Sequence, residues 1–174
     1  MTGVQTCALP IFPRAVSITI GTGTIVATNV TVAGYDYYGQ AMSEVISTGT
    51  TQSTTVNGAK AFYQVSSVYV AGDCGGTISV GTTDIIGLPV RVTDAAYIAR
   101  AGWNNTLAEN AGTFVAAATA TATTATGDVR GTFTPSTVPD GIKRLVIGIL
   151  LPAIAVGPNA TRQGALGVNQ NLVS

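Results

Sequence analysis

"TIVATNVTVAGYDYYGQAMSEVIS" (Thr24–Ser47) is the stretch on which the fold turns. Its first part, Thr24–Gly34, alternates around Val26, Thr28, Val30 and Val32, the period of a half-buried strand. "YDYYGQ" (Tyr35–Gln40) reads as a hairpin turn, and "AMSEVIS" (Ala41–Ser47) as the return strand. Upstream, "RAVSITI" (Arg14–Ile20) alternates in the same way and stops at "GTG". Downstream, "STGTTQSTTVNGAK" (Ser47–Lys60) reads as a polar loop that ends in the turn signal Asn57-Gly58. "AFYQVSSVYV" (Ala61–Val70) is predicted to be one long strand, turned by "AGDCGG" into "TISVG" (Thr77–Gly81). "TTDIIGLPVRV" (Thr82–Val92) carries an apolar kink at Gly87 and Pro89. β-branched runs separated by Gly, Asn and Asp turns predict an all-β, antiparallel β-sandwich of immunoglobulin-like or jelly-roll-like type. A second β-rich half and an extended C-terminal tail follow it.

The second half is less regular. "AAYIARAGW" (Ala95–Trp103) is open between strand and short helix, and "TFVAAATATATTATG" (Thr113–Gly127) between an edge strand and an arm stretched along a neighbour. "DVRGTFTP" (Asp128–Pro135) is expected to be a strand. "KRLVIGILLPAIAV" (Lys143–Val156) is the most apolar run. A membrane-spanning helix needs roughly 20 apolar residues, and this run is shorter and holds Gly148 and Pro152. It is therefore expected to be a buried strand, with a subunit contact through Leu145, Ile147, Ile149, Leu151 and Ile154 as the other reading. The tail "GPNATRQGALGVNQNLVS" (Gly157–Ser174) lacks periodicity and is expected to be an arm or disordered.

Charged residues make up 9% of the chain, against about 25% in an ordinary globular protein, and the net charge is zero. No basic stripe is available for nucleic acid. With 46% apolar residues and so few charges, much of the surface is expected to be covered by partners. There is no histidine, which removes the commonest general base and the commonest metal ligand. Serines have no histidine and no Gly-x-Ser-x-Gly elbow to activate them. "GTGT" (Gly21–Thr24) lacks the Gly-Lys-Ser/Thr of a phosphate loop, and no loop has the oxygen-ligand spacing of a calcium site. No catalytic, cofactor-binding or metal-binding residue is assigned. Asp36 and Glu44 flank the hairpin and lie close enough in sequence to approach as a glycosidase-type pair, but the simpler expectation is turn capping by Asp36 and a solvent-facing Glu44. Tyr35, Tyr37, Tyr38, Tyr63 and Tyr69 are candidates for a glycan platform, Tyr63 and Tyr69 being six apart and so on one side of a regular strand.

The opening "MTGVQTCALPIF" (Met1–Phe12) fits neither a signal peptide nor a strand: no basic residue precedes Arg14, and Pro10 interrupts the apolar residues. Back-translated from a GTG start, Met1–Ile11 resembles a short-read library adapter. The segment is accordingly set apart as adapter-derived, with the true start expected to lie elsewhere. Cys74 then stands without a disulfide partner, as a small turn-flanking residue. A chain without a disulfide framework mildly favours assembly in a reducing cytoplasm.

"VAGYDYYGQAMSEVIS", "NGAKAFYQVSSVYV", "ISVGTTDIIGLPVRV" and "AGTFVAAATATATTATGDVRGTFTPS" together resemble small all-β structural proteins of tailed bacteriophages. The resemblance runs from about Arg14 to Pro135. It is carried by Gly34, Asp36 and Gly39, by Lys60, Ala61 and Phe62, by Gly87, Leu88 and Pro89, and by Gly127 to Thr132. It implies a non-catalytic virion protein without cofactor, assembled in the bacterial host cytoplasm, and leaves open capsid decoration, head-to-tail joining and the tail; capsid decoration is the leading reading. Its partners would be copies of itself, in a homo-oligomer such as a trimer, and a major capsid or other virion protein, without nucleic acid or membrane. The alternative is a secreted adhesion or carbohydrate-binding module that uses the tyrosines. The expected organisation is residues 1–11 adapter-derived, 12–92 a sandwich core, 93–156 a second β-rich part packed on or completing it, and 157–174 an arm.

Overall fold

The computed structural model describes residues 12–104, 106–108, 112–150, 153–154 and 162–163. The segments 1–11 and 164–174 lie outside the described residues, as does Leu151. The fold is all-β and every strand pair is antiparallel, as the sequence predicts. One sheet has five strands in the order β4-β1-β6-β10-β9, formed by Thr55–Phe62, Arg14–Ile20, Ile78–Gly87, Thr132–Pro135 and Gly112–Val115. A second has the order β3-β2-β5, formed by Ala41–Ser47, Asn29–Tyr35 and Gln64–Val70. A third has β11-β7-β8, formed by Leu145–Ile149, Ile98–Trp103 and Thr106–Ala108. The short β12 (Ala153–Ile154) pairs with β13 (Arg162–Gln163).

Alternation builds the first core. β1 sends Val16 and Ile18 inward, β2 sends Val30 and Val32, β3 sends Met42 and Ile46, and Phe62 closes the layer. Those side chains come from the five-stranded and the three-stranded sheet, so the two pack face to face as layers of a sandwich. Each such side chain stabilises the fold by about 1.5–3 kcal/mol through burial. A second core of Leu88, Val92, Ile98, Ala101 and Phe133 joins β10 to β7 and the segment after β6. The five-stranded sheet takes strands from both sides of residue 92, so the sheet itself ties the two halves of the sequence together.

The hairpin Asn29–Ser47 forms in full register, from Asn29 opposite Ser47 to Tyr35 opposite Ala41. The preceding Thr24–Thr28 is not strand, because its backbone is taken by loop partners: Val26 N–H by the Cys74 carbonyl and Thr28 N–H by the Thr48 hydroxyl. Two further expectations are corrected. Asn57-Gly58 is not a turn but lies inside β4. "AFYQVSSVYV" is not one strand: it ends in the first sheet at Phe62, bends at Tyr63, and enters the second sheet at Gln64. β propensity is the same on both sides of Tyr63, so only sheet membership records the change. The ambiguous Ala95–Trp103 resolves into a 3-10 turn, Ala95–Tyr97, followed by β7. Asp94 caps the turn, its carboxylate accepting from Ala96 N–H at 2.8 Å.

Bulges shape both sheets. Opposite Ala15 to Ser17, β4 advances from Ala61 to Asn57, and on β1's other side β6 advances from Ile86 to Thr82 between Arg14 and Val16. Extra residues on both neighbours of one strand bend and twist the sheet there. A third irregularity separates Ala33 and Gly34 where β2 meets β5. There a side chain on residue 34 would place its Cβ 2.0 Å from the Gln64 carbonyl oxygen, a backbone atom that cannot swing aside. Gly34→Ala is therefore expected to destabilise the protein by about 2 kcal/mol or more. Gly72→Ala, where the nearest atom is 3.7 Å away, is expected to stay within about 0.5 kcal/mol. Urea unfolding of the two variants checks the contrast, and equal losses would refute it.

Candidate functional site

The charged residues of this poorly charged chain gather inside it. Asp36, Glu44, Lys60, Asp128 and Arg130 are all buried, at least five of its sixteen charged side chains. Burying a charge is costly unless it is paired or hydrogen-bonded: Asp36 and Arg130 pair with each other, and Glu44, Lys60 and Asp128 are each hydrogen-bonded to the backbone. The bulge in β4 strips the amides of Ala59 and Lys60 of ladder partners, and the Glu44 carboxylate reaches across from β3 to accept both, at 2.6 and 3.4 Å. Gly58 makes room: a Cβ there would lie 2.5 Å from Glu44 Oε2. Glu44 is thus buried, not solvent-facing as expected. Asp128 does the same one step along, accepting from Ala61 N–H at 3.0 Å with one oxygen and from Arg130 N–H at 2.9 Å with the other.

Asp36 does cap its turn, one oxygen accepting from Tyr38 N–H and Gln40 N–H, each at 2.8 Å. Its other oxygen takes the Arg130 guanidinium, a buried ion pair between residues 94 apart in sequence. The same guanidinium lies over the Tyr38 ring, 4.9 Å from its centre, in a cation–π contact. Lys60 Nζ donates to the Thr123 carbonyl, and Val45 N–H on the outer edge of β3 donates to Thr124. The Ala/Thr tract therefore begins as edge strand β9 and then folds back over its own chain's β3. Asp36 and Glu44 serve different backbone segments, and their acceptor oxygens are committed to amides and to Arg130. Sequence reasoning missed Lys60, Asp128 and Arg130 as members of this cluster. Their one signal was rarity: a charged residue in so apolar a chain has a reason to be there.

Burial governs their ionisation. It pushes the Glu44 carboxyl above its ordinary 4.5, against the pull of the Ala59 and Lys60 amides. It pushes Asp128 above 3.8, against the amides of Ala61 and Arg130. It holds Lys60 below 10.5, against the charges of Glu44 and Asp128.

Of the five tyrosines, Tyr37, Tyr38 and Tyr63 come together. Tyr37 meets Tyr38 edge-on at 5.2 Å and 87°, and Tyr63 at 5.8 Å and 86°. The Tyr38 hydroxyl donates to the Pro89 carbonyl at 2.7 Å, tying the hairpin turn to the segment after β6. Tyr35 lies at the end of β2, beside an open groove of about 440 Å³ that Lys60 and Thr123 also line. Tyr69 sits on β5 opposite Thr31. The same-side argument for Tyr63 and Tyr69 does not apply, because Tyr63 is the bend between sheets and not part of β5.

Leu145, Ile147 and Ile149 alternate along β11 and line one apolar groove of about 280 Å³ with Phe12, Tyr37 and Ile86. They are half-buried rather than fully buried. Ile147 and Ile149 pack partly on the second core. Leu151 and the side chain of Ile154 lie outside the described residues. Among the described residues no group of three His, Cys, Asp or Glu side chains is placed to hold a metal ion, and no helix is long and apolar enough to cross a membrane.

Two predictions follow from the charge cluster. Arg130→Ala leaves Asp36 buried without its partner and is expected to cost about 3–5 kcal/mol, measured by chemical unfolding. A loss under about 1 kcal/mol would show that the pair does not hold the turn. The second concerns pH. Above 4.5 and up to its raised value, native Glu44 keeps a proton that the unfolded chain has released, so its contribution makes stability fall as pH rises through that window. Lys60 acts oppositely: below 10.5 the unfolded chain holds a proton the native state has lost, so stability rises towards 10.5. Glu44→Gln is expected to flatten the fall on the acid side, in thermal melts across a pH series. An unchanged slope would sink this assignment. Compared with protein-family models, with curated proteins and with solved structures, the chain matches none.

Proposed function

We propose that this chain is a non-catalytic structural protein of a tailed-bacteriophage virion, a decoration or cement subunit that stabilises the head through repeated contacts. The observation that carries the reading is buried charge beside exposed apolar side chains. At least five of sixteen charged side chains are inside, while Val26, Tyr69, Val115 and Ile142 are each more than half exposed. A solitary soluble domain ordinarily keeps its charges outside and its apolar patches small. A subunit completed by its neighbours is freed from both demands, since contacts made only in the assembly add to its stability.

The reading is supported further by where the polar groups point. The cluster's carboxylate oxygens hold this chain's own backbone and Arg130, which suits a rigid building block. Repeated copies would bury apolar and main-chain surface against the capsid and each other, raising resistance to internal pressure. The resemblance over Arg14–Pro135 adds to it. A long-read sequence of the gene's surroundings tests the proposal. A major capsid, portal or terminase gene beside it is expected. Neighbours encoding secretion and surface proteins would overturn it in favour of an adhesion or glycan-binding module.

A further inference from the structure

Outer strands are hazards, because their unpaired amides and carbonyls invite another strand. This chain disarms two of them with its own groups: Thr124 covers β3 at Val45, and Glu44 and Asp128 occupy the outward amides of β4. β5 is treated differently. It pairs only with β2 among the described residues, runs seven residues as "QVSSVYV", and carries neither charge nor proline. Val68, Tyr69 and Val70 are exposed by 37%, 63% and 36%, three consecutive large apolar side chains.

The phase of its hydrogen bonds is fixed. Ala71 N–H donates to the Asn29 carbonyl at 2.9 Å, and the register continues through Val70–Val30 and Tyr69–Thr31. Alternation then turns the amides of Ser67 and Tyr69 towards β2 and those of Val68 and Val70 outward. The irregularity between Ala33 and Gly34 ends the regular stretch below Ser67. Two outward-facing residues, flanking one apolar residue and free of charge, form a self-complementary edge.

We propose that β5 pairs antiparallel with β5 of a second copy of this chain, across a two-fold axis at Tyr69. Val68 then exchanges both backbone hydrogen bonds with Val70 of the second copy, and Val70 with Val68 of the second copy. The two Tyr69 residues face each other at a non-hydrogen-bonded position, where Cα atoms approach to about 4.5 Å and an aromatic pair adds stability. Val68 and Val70 share the face of Val32 and Val30, so pairing also covers these two exposed valines beside the first core. Two three-stranded sheets become one of six strands. The absence of charge is the argument for a copy over a foreign partner: an isologous contact sets each residue against its own kind, and an uncharged edge meets no repulsion there. The overlap is short, less than the roughly 1,200 Å² of a stable interface, so the pair is reversible on its own.

The inference rests on the self-association within the proposed function, not on the virion. Sedimentation velocity of the full chain up to about 100 µM tests it, a range suited to a small interface. Concentration-dependent dimers are expected. Val68→Pro removes one outward amide and no inward one, and is expected to weaken association at least about tenfold with unchanged circular dichroism. Should that variant misfold, Tyr69→Lys sets like charges opposite each other on an exposed site and is expected to do the same. Tyr69→Cys, with Cys7→Ser, is expected to give a disulfide-linked dimer on oxidation. Association that survives both edge variants would overturn this interface and leave the proposed assembly role standing. A chain monomeric throughout would overturn the interface, and the gene's neighbours then decide the virion reading separately.

Discussion

The contact on which the fold depends is the Glu44 carboxylate set into the broken ladder of β4. The bulge that bends the five-stranded sheet leaves the Ala59 and Lys60 amides without strand partners, that of Lys60 inside the protein. A buried amide left so would cost about 1–3 kcal/mol. Glu44 satisfies both, and to do so it must itself be buried, which raises the demand for Lys60 and for the amides around it. Gly58 gives the space, β3 gives the direction, and Asp128 extends the arrangement to Ala61 and Arg130. From Arg130 the chain of contacts reaches Asp36 and Tyr38, and so the tip of the hairpin. Curvature, edge protection and the seating of the hairpin are one connected problem with one polar solution.

That solution explains why the sequence was legible in some places and opaque in others. Strand identity follows from alternation, and Arg14–Ile20 and Ala41–Ser47 fall where their pattern puts them. Asp36 was legible because an Asp at the start of a Gly-containing turn has a local task. Glu44 was not, because its task is set by a bulge in a strand that follows it. Asn57-Gly58 misled for the same reason: the glycine answers a carboxylate from another sheet, while the dipeptide alone signals a turn. Tyr63 was hidden because a strand that changes sheets keeps its composition. Leu145, Ile147 and Ile149 were found by hydrophobicity, and the groove they share with Phe12 and Tyr37 depends on tertiary placement that no local pattern carries.

The treatment of edges is the clearest link from architecture to the proposed role. A chain with so few charged residues has little Lys or Glu with which to blunt its outer strands, and it uses buried carboxylates and a folded-back Ala/Thr tract instead. Along β5, where the described residues provide no such cover, the surface is also apolar. Edge chemistry and side-chain chemistry agree in marking that strand as the place where the proposed neighbour would pair.

The order β4-β1-β6 carries a consequence for how the protein is made. β1 lies between two strands that are both synthesised later, so after it leaves the ribosome it has no sheet to join until Thr55–Phe62 follows. At about 5–20 residues per second that is a wait of a few seconds. The alternating apolar face of Arg14–Ile20 is uncovered throughout. Long-range pairing of this kind folds slowly, and a subunit of the proposed kind would be made in many copies at once. Vectorial synthesis thus exposes nascent chains to one another before each has closed its own core, and a cell producing this protein in bulk would depend on chaperones to keep that interval safe.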